Sequence, residues 1–537
     1  MRMLFDRPLP KIYRISWLFC IAVTLASCGG GGGGGGGGTG TRCTNCAGTW
    51  TPGVFADAST YVAQCAVPRT GSFPDAQGTI DDEKFWLRSW SNDLYLWYDE
   101  IVDRDPRGSE SVKNYFNQLK TNQKTASGND KDNFHFSIST EEWEALSQSG
   151  TTFGYGANWT SLGPGIIKVA FPEPNSPAAL GGLQRGDEIL LIDGINIKVP
   201  LTDNQIDAAE EALSPSSVGA SHNFRFRRVN NTEYNVTLTS AIVTIDPVPL
   251  VDTFPTGTGN VGYILFNDHI ATAEEGLIDA VNQLNTAGIS DLILDLRYNG
   301  GGYLAIASQL AYMIAGPGPT SGQTFEDLVF NDKHQTNNPI TGQPLSPTPF
   351  YTQTVGLSVS GGQPLPVLGT GLSRVFVLTS DDTCSASESI INSLRGVDID
   401  VIQIGSTTCG KPYGFYPEDN CGVTYFTIQF KGENAKGFGD YSDGFSPANT
   451  VGTEGESIPG CSVRDDFTHN LGDMMEERIA AALNYRATMG SSMIGSCPMP
   501  SGFSPPPSVA KSAFGGNAIG EGLLYKSPGL QNRIMTK

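Results

Sequence analysis

Positive charge is scarce in this sequence and nowhere gathered into a stripe. The 537 residues hold 34 Lys and Arg against 55 Asp and Glu, a net charge of −21. That balance argues against nucleic acid as a partner, because phosphate binding needs clustered Lys and Arg. Charged residues make up only 17% of the chain and apolar ones 39%, which goes with ordinary globular packing and not with wholesale disorder. Histidine is rarer still. His135, His222, His269, His334 and His469 are all there are, and none sits in a motif that would pair it with a nucleophile. Cys43-Thr44-Asn45-Cys46 has the spacing of half a zinc site, but no second Cys pair or nearby His follows, so neither a metal nor another cofactor is expected.

The first residues read as an address. Arg2, Arg7, Lys11 and Arg14 form a basic leader. The apolar stretch over 15–24 has the length of a signal-peptide core and is too short to span a bilayer. It runs into Leu25-Ala26-Ser27-Cys28, which resembles the lipobox at which bacterial lipoproteins are cut and acylated on the cysteine. The glycine run over 29–38 suits a flexible tether between a lipid and a folded body, and several acyl chains on one cysteine hold a protein firmly on a membrane. Residues 1–28 are therefore expected to be a lipoprotein signal peptide with lipidated Cys28, and residues 29–80 a Gly-rich tether and Cys-containing linker. The location expected is the bacterial cell envelope. With Gly29 after the cysteine there is no aspartate retention signal, which favours the outer membrane or periplasmic face where there are two membranes. Cysteine usage agrees with export. With Cys20 and Cys28 set aside, Cys43, Cys46, Cys65, Cys384, Cys409, Cys421, Cys461 and Cys497 form an even set, as disulfides in an oxidising compartment require.

From Asp81 to about Leu119 the apolar spacing is helical, with Phe85, Trp86, Trp90, Leu94, Trp97, Tyr115 and Phe116 as core candidates. This makes 81–150 an N-terminal helical segment. Short alternating runs broken by Gly and Pro then predict a small β-rich domain over 151–246. Farther on, strands over 261–266, 291–295, 375–379 and 401–404 alternate with helices over 272–286, 303–315 and 385–395. Such alternation predicts βαβ units with a mainly parallel sheet, an α/β domain over 247–497. The polar stretch over 316–370 interrupts it and is too long for a plain connection, so a lid or insertion is expected there. Residues 498–537 are Pro-rich at their start and are expected to be a poorly ordered tail.

Three stretches carry chemistry. Thr383-Cys384-Ser385-Ala386-Ser387-Glu388 lies between a predicted strand and a predicted helix. Ser385 and Glu388 have the spacing of a capping box, and the free amides and positive end of that helix also suit an oxyanion beside the serine. Asp295-Leu296-Arg297-Tyr298-Asn299-Gly300-Gly301-Gly302 follows a buried-looking strand. Its glycines let bare backbone approach a substrate, and it lacks both the GxGxxG spacing and the Gly-Lys-Ser/Thr ending of phosphate loops. Thr408-Cys409-Gly410-Lys411 places a lysine just past the next strand, among Gly410, Pro412, Tyr413 and Phe415.

Taken together these stretches resemble the carboxy-terminal processing, or tail-specific, serine proteases, which join a PDZ domain to a Ser-Lys catalytic domain. Asn175-Ser176-Pro177-Ala178-Ala179-Leu180-Gly181-Gly182-Leu183-Gln184-Arg185-Gly186-Asp187-Glu188-Ile189 resembles the PDZ signature, with Asp193-Gly194 as a hairpin turn and Gly154-Tyr155-Gly156 as a candidate carboxylate loop. Tyr95-Leu96-Trp97-Tyr98-Asp99-Glu100 is similar to the N-terminal helical segment of some members. The resemblance implies a multidomain protein whose α/β catalytic domain is a crotonase-like ββα superhelix. It implies Ser385 as nucleophile, Lys411 as general base, and the amides of Gly301 and Ala386 as the oxyanion hole. Substrates would be proteins or peptides, above all unstructured C-terminal segments offered through the PDZ domain. An ordinary lysine titrates near about 10.4, and bringing it to about 7 or 8 takes roughly 4 kcal/mol, which desolvation can supply. Phe415 departs from the pattern, since several members carry a glutamine there that orients the amine. That departure leaves open a second reading, a weak or inactive PDZ peptide-binding scaffold. If Ser385 and Lys411 approach within hydrogen-bond reach, a Cys384–Cys409 bridge becomes feasible; the alternative pairs Cys409 with Cys421 or Cys461 and leaves Cys384 a buried thiol.

Overall fold

The computed structural model describes residues 48–109, 111–452, 455–488 and 497, with short pieces at 510–511, 518–519, 523–525 and 533–535. The leader, Cys28, the glycine tether and the Cys43/Cys46 pair lie outside the described residues. No helix among the described residues is long and apolar enough to cross a membrane.

The apolar runs of the α/β region become the strands of one six-stranded sheet. Leu250–Thr256 and Gly259–Leu265 pair antiparallel, and Ile289–Asp295, Arg374–Thr379, Asp400–Gly405 and Gly460–Ser462 then add in parallel. Such strands read as unbroken apolar runs because both faces are covered. Helices Ala273–Ala287, Leu304–Ala315 and Ala386–Gly396 join a core with Ile264, Leu294 and Val377. Helix Glu477–Thr488 covers the other side, where Ile479 and Tyr485 meet Tyr263, Ile293 and Phe376. The parallel register sets Asp295 beside Leu378 and Thr379 beside Gly405. The three chemistry-bearing loops therefore leave from the carboxyl ends of adjacent strands, where open α/β sheets bind ligands.

The β-rich region is an antiparallel sheet that includes Ala157–Gly163, Ile166–Pro172, Glu188–Ile192, Ser221–Arg227 and Glu233–Thr239. Trp159, Val169, Phe224 and Phe226 fill its core under helix Asp203–Leu213. Asp193 and Gly194 both have positive φ, +47° and +82°, the twist a two-residue hairpin needs, and Ile192 faces Ile195 across it. Arg185 ties this region to the α/β region. Its guanidinium reaches Asp465 at 2.6 Å and the Tyr298 hydroxyl at 2.8 Å, while Asp465 also pairs with fully buried Arg297 at 2.7 Å.

The structure bears on three stretches. The helical pattern over 81–119 is one helix, Ile80–Leu94, followed by 3-10 turns and the short helix Val112–Phe116. Tyr95 turns extended (φ −62°, ψ 134°) because it is held elsewhere: its hydroxyl donates to Asp132 at 2.7 Å, and the next amide, of Leu96, donates to the Ile428 carbonyl at 2.8 Å. The stretch over 316–370 is no free lid. Strand Thr324–Phe330 pairs with Phe430–Glu433, and Phe325, Phe350 and Leu368 are buried in the main core. Most of 498–537 lies outside the described residues, but the pieces described there are strands, two of them paired onto the body of the protein. Disulfides join Cys65 to Cys421, Cys384 to Cys409 and Cys461 to Cys497.

Candidate active site

Ser385 stands between strand Arg374–Thr379 and helix Ala386–Gly396, with φ +60° and ψ −110°. Such a backbone conformation costs a non-glycine residue about 1–3 kcal/mol and persists only where its surroundings impose it. Here they do. The Ser380 amide donates to the Thr383 hydroxyl at 2.9 Å, and that hydroxyl donates to the Leu296 carbonyl at 2.8 Å. The Cys384 amide donates to the Asn299 carbonyl at 3.1 Å, and the Ser387 hydroxyl donates to the same oxygen at 3.0 Å. A sharp strand-to-helix turn of this kind is how α/β-hydrolases present a nucleophilic serine.

Glu388 is the residue whose reach the sequence understates. The capping-box spacing foresaw that its carboxylate would accept the Ser385 amide, at 2.9 Å. The same carboxylate also accepts the Lys411 amide at 2.8 Å, the Gly410 amide at 2.8 Å and the Thr408 hydroxyl at 2.5 Å. One side chain therefore holds both the serine turn and the lysine turn. Burial raises the Glu388 carboxyl above its ordinary value, against the opposing effect of these donors. The Cys384–Cys409 bridge, with Cα atoms 5.2 Å apart, is a second tie between the turns, and the Cys409 amide donates to the Thr383 carbonyl at 3.1 Å as a third. Cys384, Glu388 and Cys409 bring ligand atoms within 4.8 Å of one another, but both sulfurs are committed to the bridge and offer no thiolate to a metal.

Lys411 is fully buried, and its Nζ lies 4.3 Å from the centre of the Phe415 ring and 4.5 Å from that of Phe134. Phe415, at the position where the resemblance leads one to expect glutamine, is thus part of the wall around the amine. The Gly-rich loop closes the site. Gly302 has φ +135°, and a Cβ there would fall 2.4 Å from the His269 carbonyl oxygen, so only glycine fits. The Gly301 amide donates to Asn299 Oδ1 at 2.9 Å, which shares a further 2.9 Å hydrogen bond with His269 Nδ1. That places His269, absent from every motif, on the scaffold of this loop. Ala386 opens the helix, where first-turn amides have no intrahelical acceptor. Beside the β-rich region runs a cleft of about 950 Å³, lined among others by Tyr155, Glu173, Asn267, Asp268 and Leu524. Burial, reinforced by the nearby Asp268 and Asp246 charges, pushes the Glu173 carboxyl up to about 7.

Residues 260–414 match the model of peptidase family S41, and residues 169–228 that of a PDZ domain. Over these stretches the chain is similar to peptidase family S41 and to carboxyl-terminal-processing proteases. The S41 match contains all three loops of the candidate site. A carboxyl-terminal-processing protease of Picosynechococcus sp. is 28% identical over 184 residues, 34% of this chain and 42% of that protein. Another, from Synechocystis sp., is 31% identical over 147 residues, 27% of this chain and 33% of that protein. The aligned stretches thus span less than half the length of these two relatives. The crystal structure of a putative S41 protease from Bacteroides fragilis has the same fold, with a TM-score of 0.55 and 21% identity, covering 78% of this chain and 99% of that one. The S41 fold with its PDZ domain is accordingly the architecture of this multidomain α/β protein.

Proposed function

We propose that the chain is a serine endopeptidase of the bacterial cell envelope that cuts peptide bonds with a Ser385–Lys411 dyad. The observation that supports this reading is the Glu388 carboxylate, which accepts the amides of both Ser385 and Lys411 and so ties the turn of a strained serine to the turn of a lysine shut away from water. Burial among aromatic rings withholds the water that stabilises an ammonium ion, which favours the neutral amine a base must be. Lys411 takes the hydroxyl proton as Ser385 Oγ attacks the peptide carbonyl. The tetrahedral oxyanion rests on backbone amides, Ala386 and Gly301 being the candidates, and the Gly301 amide must give up Asn299 Oδ1 to take part. Collapse of the intermediate expels the amine with the proton from Lys411, and water then resolves the acyl-enzyme. The PDZ domain offers extended peptide segments by strand addition, and acylated Cys28 anchors the whole to a membrane.

The test is turnover of an unfolded model protein by the soluble fragment. Ser385→Ala and Lys411→Ala are expected to lower it by at least about 10⁴-fold with the fold intact, and Lys411→Arg to fail as well because a guanidinium stays charged. Full activity in either alanine variant would refute the dyad. Palmitate labelling that depends on Cys28 tests the anchor. The second reading, an inactive PDZ scaffold, draws on Phe415 against Lys411 and on the engaged Gly301 amide; it is the one left standing if wild type and Ser385→Ala are equally inert.

A further inference from the structure

Within the stretch expected to be loose, two apolar pairs, Leu523-Leu524 and Ile534-Met535, are inserted where a peptide ligand would lie. Leu523–Leu524 adds antiparallel to strand Ala157–Gly163 at the edge of the PDZ sheet, Leu523 opposite Thr160 and Leu524 opposite Trp159. That strand directly follows the Gly154-Tyr155-Gly156 turn, and the Leu524 side chain packs into the domain core with Tyr155 and Trp159. Strand addition to an open edge is how PDZ domains hold peptides, so a segment of the chain itself takes the place of one. The Leu523 amide also donates to the carboxylate of Asp382, in the turn that leads to Ser385.

The second pair sits at the catalytic loops. Arg533–Ile534 adds parallel to Gly302–Tyr303, beginning one residue past Gly301. On its other side Ile534 bridges to Phe415, and the Met535 amide donates to the Phe415 carbonyl at 3.1 Å. The main chain of these residues is thus bonded on one side to the oxyanion loop and on the other to the segment that follows Lys411. The Ile534 side chain is 1% exposed and fills an apolar pocket with Trp143, Tyr413, Phe415 and Phe426.

We propose that residues 523–525 and 533–535 are two intramolecular occupants of the substrate path, which hold the PDZ edge and the catalytic loops against incoming chains. The pocket filled by Ile534 is then the subsite of the path, and it selects extended segments bearing a branched aliphatic side chain. The word substrate rests on the protease reading; the occupancy does not. Two separate anchors argue for a ligand mimic over incidental packing, because both use strand addition and each is at a peptide-type edge. A tethered ligand acts at an effective concentration of about millimolar, so a free peptide must compete with it.

The experiment uses the full chain and its Leu524→Asp/Ile534→Asp variant, which places a carboxylate in each apolar seat. The probe is a fluorescein-labelled peptide with the sequence of residues 521–537, followed by anisotropy, with turnover of an unfolded protein measured in parallel. The variant is expected to bind the peptide at least about tenfold more tightly than wild type and to turn over faster. Equal affinity for the two proteins overturns the proposal whether or not either one is a protease. Tighter binding without turnover by either protein supports the occupancy and removes the protease reading instead. Should the variant fail to fold by near-ultraviolet dichroism, hydrogen exchange of the wild type decides. Slow exchange of the Leu523 and Met535 amides supports the strap, and exchange at the rate of an unstructured peptide overturns it.

Discussion

Replacing both Cys384 and Cys409 by serine tests how far the bridge, and how far Glu388, holds the Ser385 and Lys411 turns together. The bridge closes a loop with a sequence separation of 25 residues. In the chain-entropy account a loop of this size confines the unfolded state by about 3.5 kcal/mol, so the double variant should unfold that much more easily. Its folded state loses less. The Glu388 carboxylate still accepts the Ser385 and Lys411 amides at 2.9 and 2.8 Å, and the Cys409 amide still reaches the Thr383 carbonyl. The turns therefore stay adjacent but loosen, and a misplacement of about 1 Å is enough to lower a rate by about 10²-fold. We expect kcat to fall by roughly ten- to a hundredfold while KM changes little. Urea unfolding and steady-state kinetics on the double variant measure the two effects, and peptide mapping of the unreduced wild type checks the pairing first. A free thiol at Cys384, or a double variant with wild-type stability and turnover, would refute the reasoning.

Two other substitutions follow from buried carboxylates. Glu388→Gln keeps one acceptor oxygen and turns an NH₂ group towards the donors on the other side, leaving two buried donors unsatisfied at about 1–3 kcal/mol each. Since burial disfavours the charge being removed, part of this is offset, and a net loss of about 2 kcal/mol is expected, with activity falling while Asp398→Asn, at an exposed position, changes neither. Glu173 has a folded value of about 7 against its ordinary 4.5, so the stability it contributes is complete below pH 4.5 and is lost as pH rises through 7. Wild type should therefore lose about 3 kcal/mol relative to Glu173→Gln between pH 4.5 and 8 in urea titrations, and a pH-independent difference between the two would show that Glu173 is not held protonated.

Much of the local structure was written in short-range pattern. The helix over 386–396, the strand over 289–295 and the Asp193-Gly194 hairpin lie within a residue or two of where apolar period and turn chemistry put them, because each depends on neighbours a few positions away. The candidate loops were legible for the same reason, as glycine-rich or serine-bearing punctuation after buried strands. What no local pattern contains is who meets whom. The helix that stops at Leu94 does so because Tyr95 and Leu96 find Asp132 and Ile428. Glu388 reads as an ordinary cap until the parallel register of strands 374–379 and 400–405 carries Gly410 and Lys411 to its far side. His269 joins the site through Asn299 and through backbone hydrogen bonds with Gly301 and Tyr303. Leu523, Leu524 and Ile534, too few and too far apart to predict a strand, become strands because an open sheet edge and an apolar pocket elsewhere in the chain supply the hydrogen bonds and the burial that their own neighbours lack.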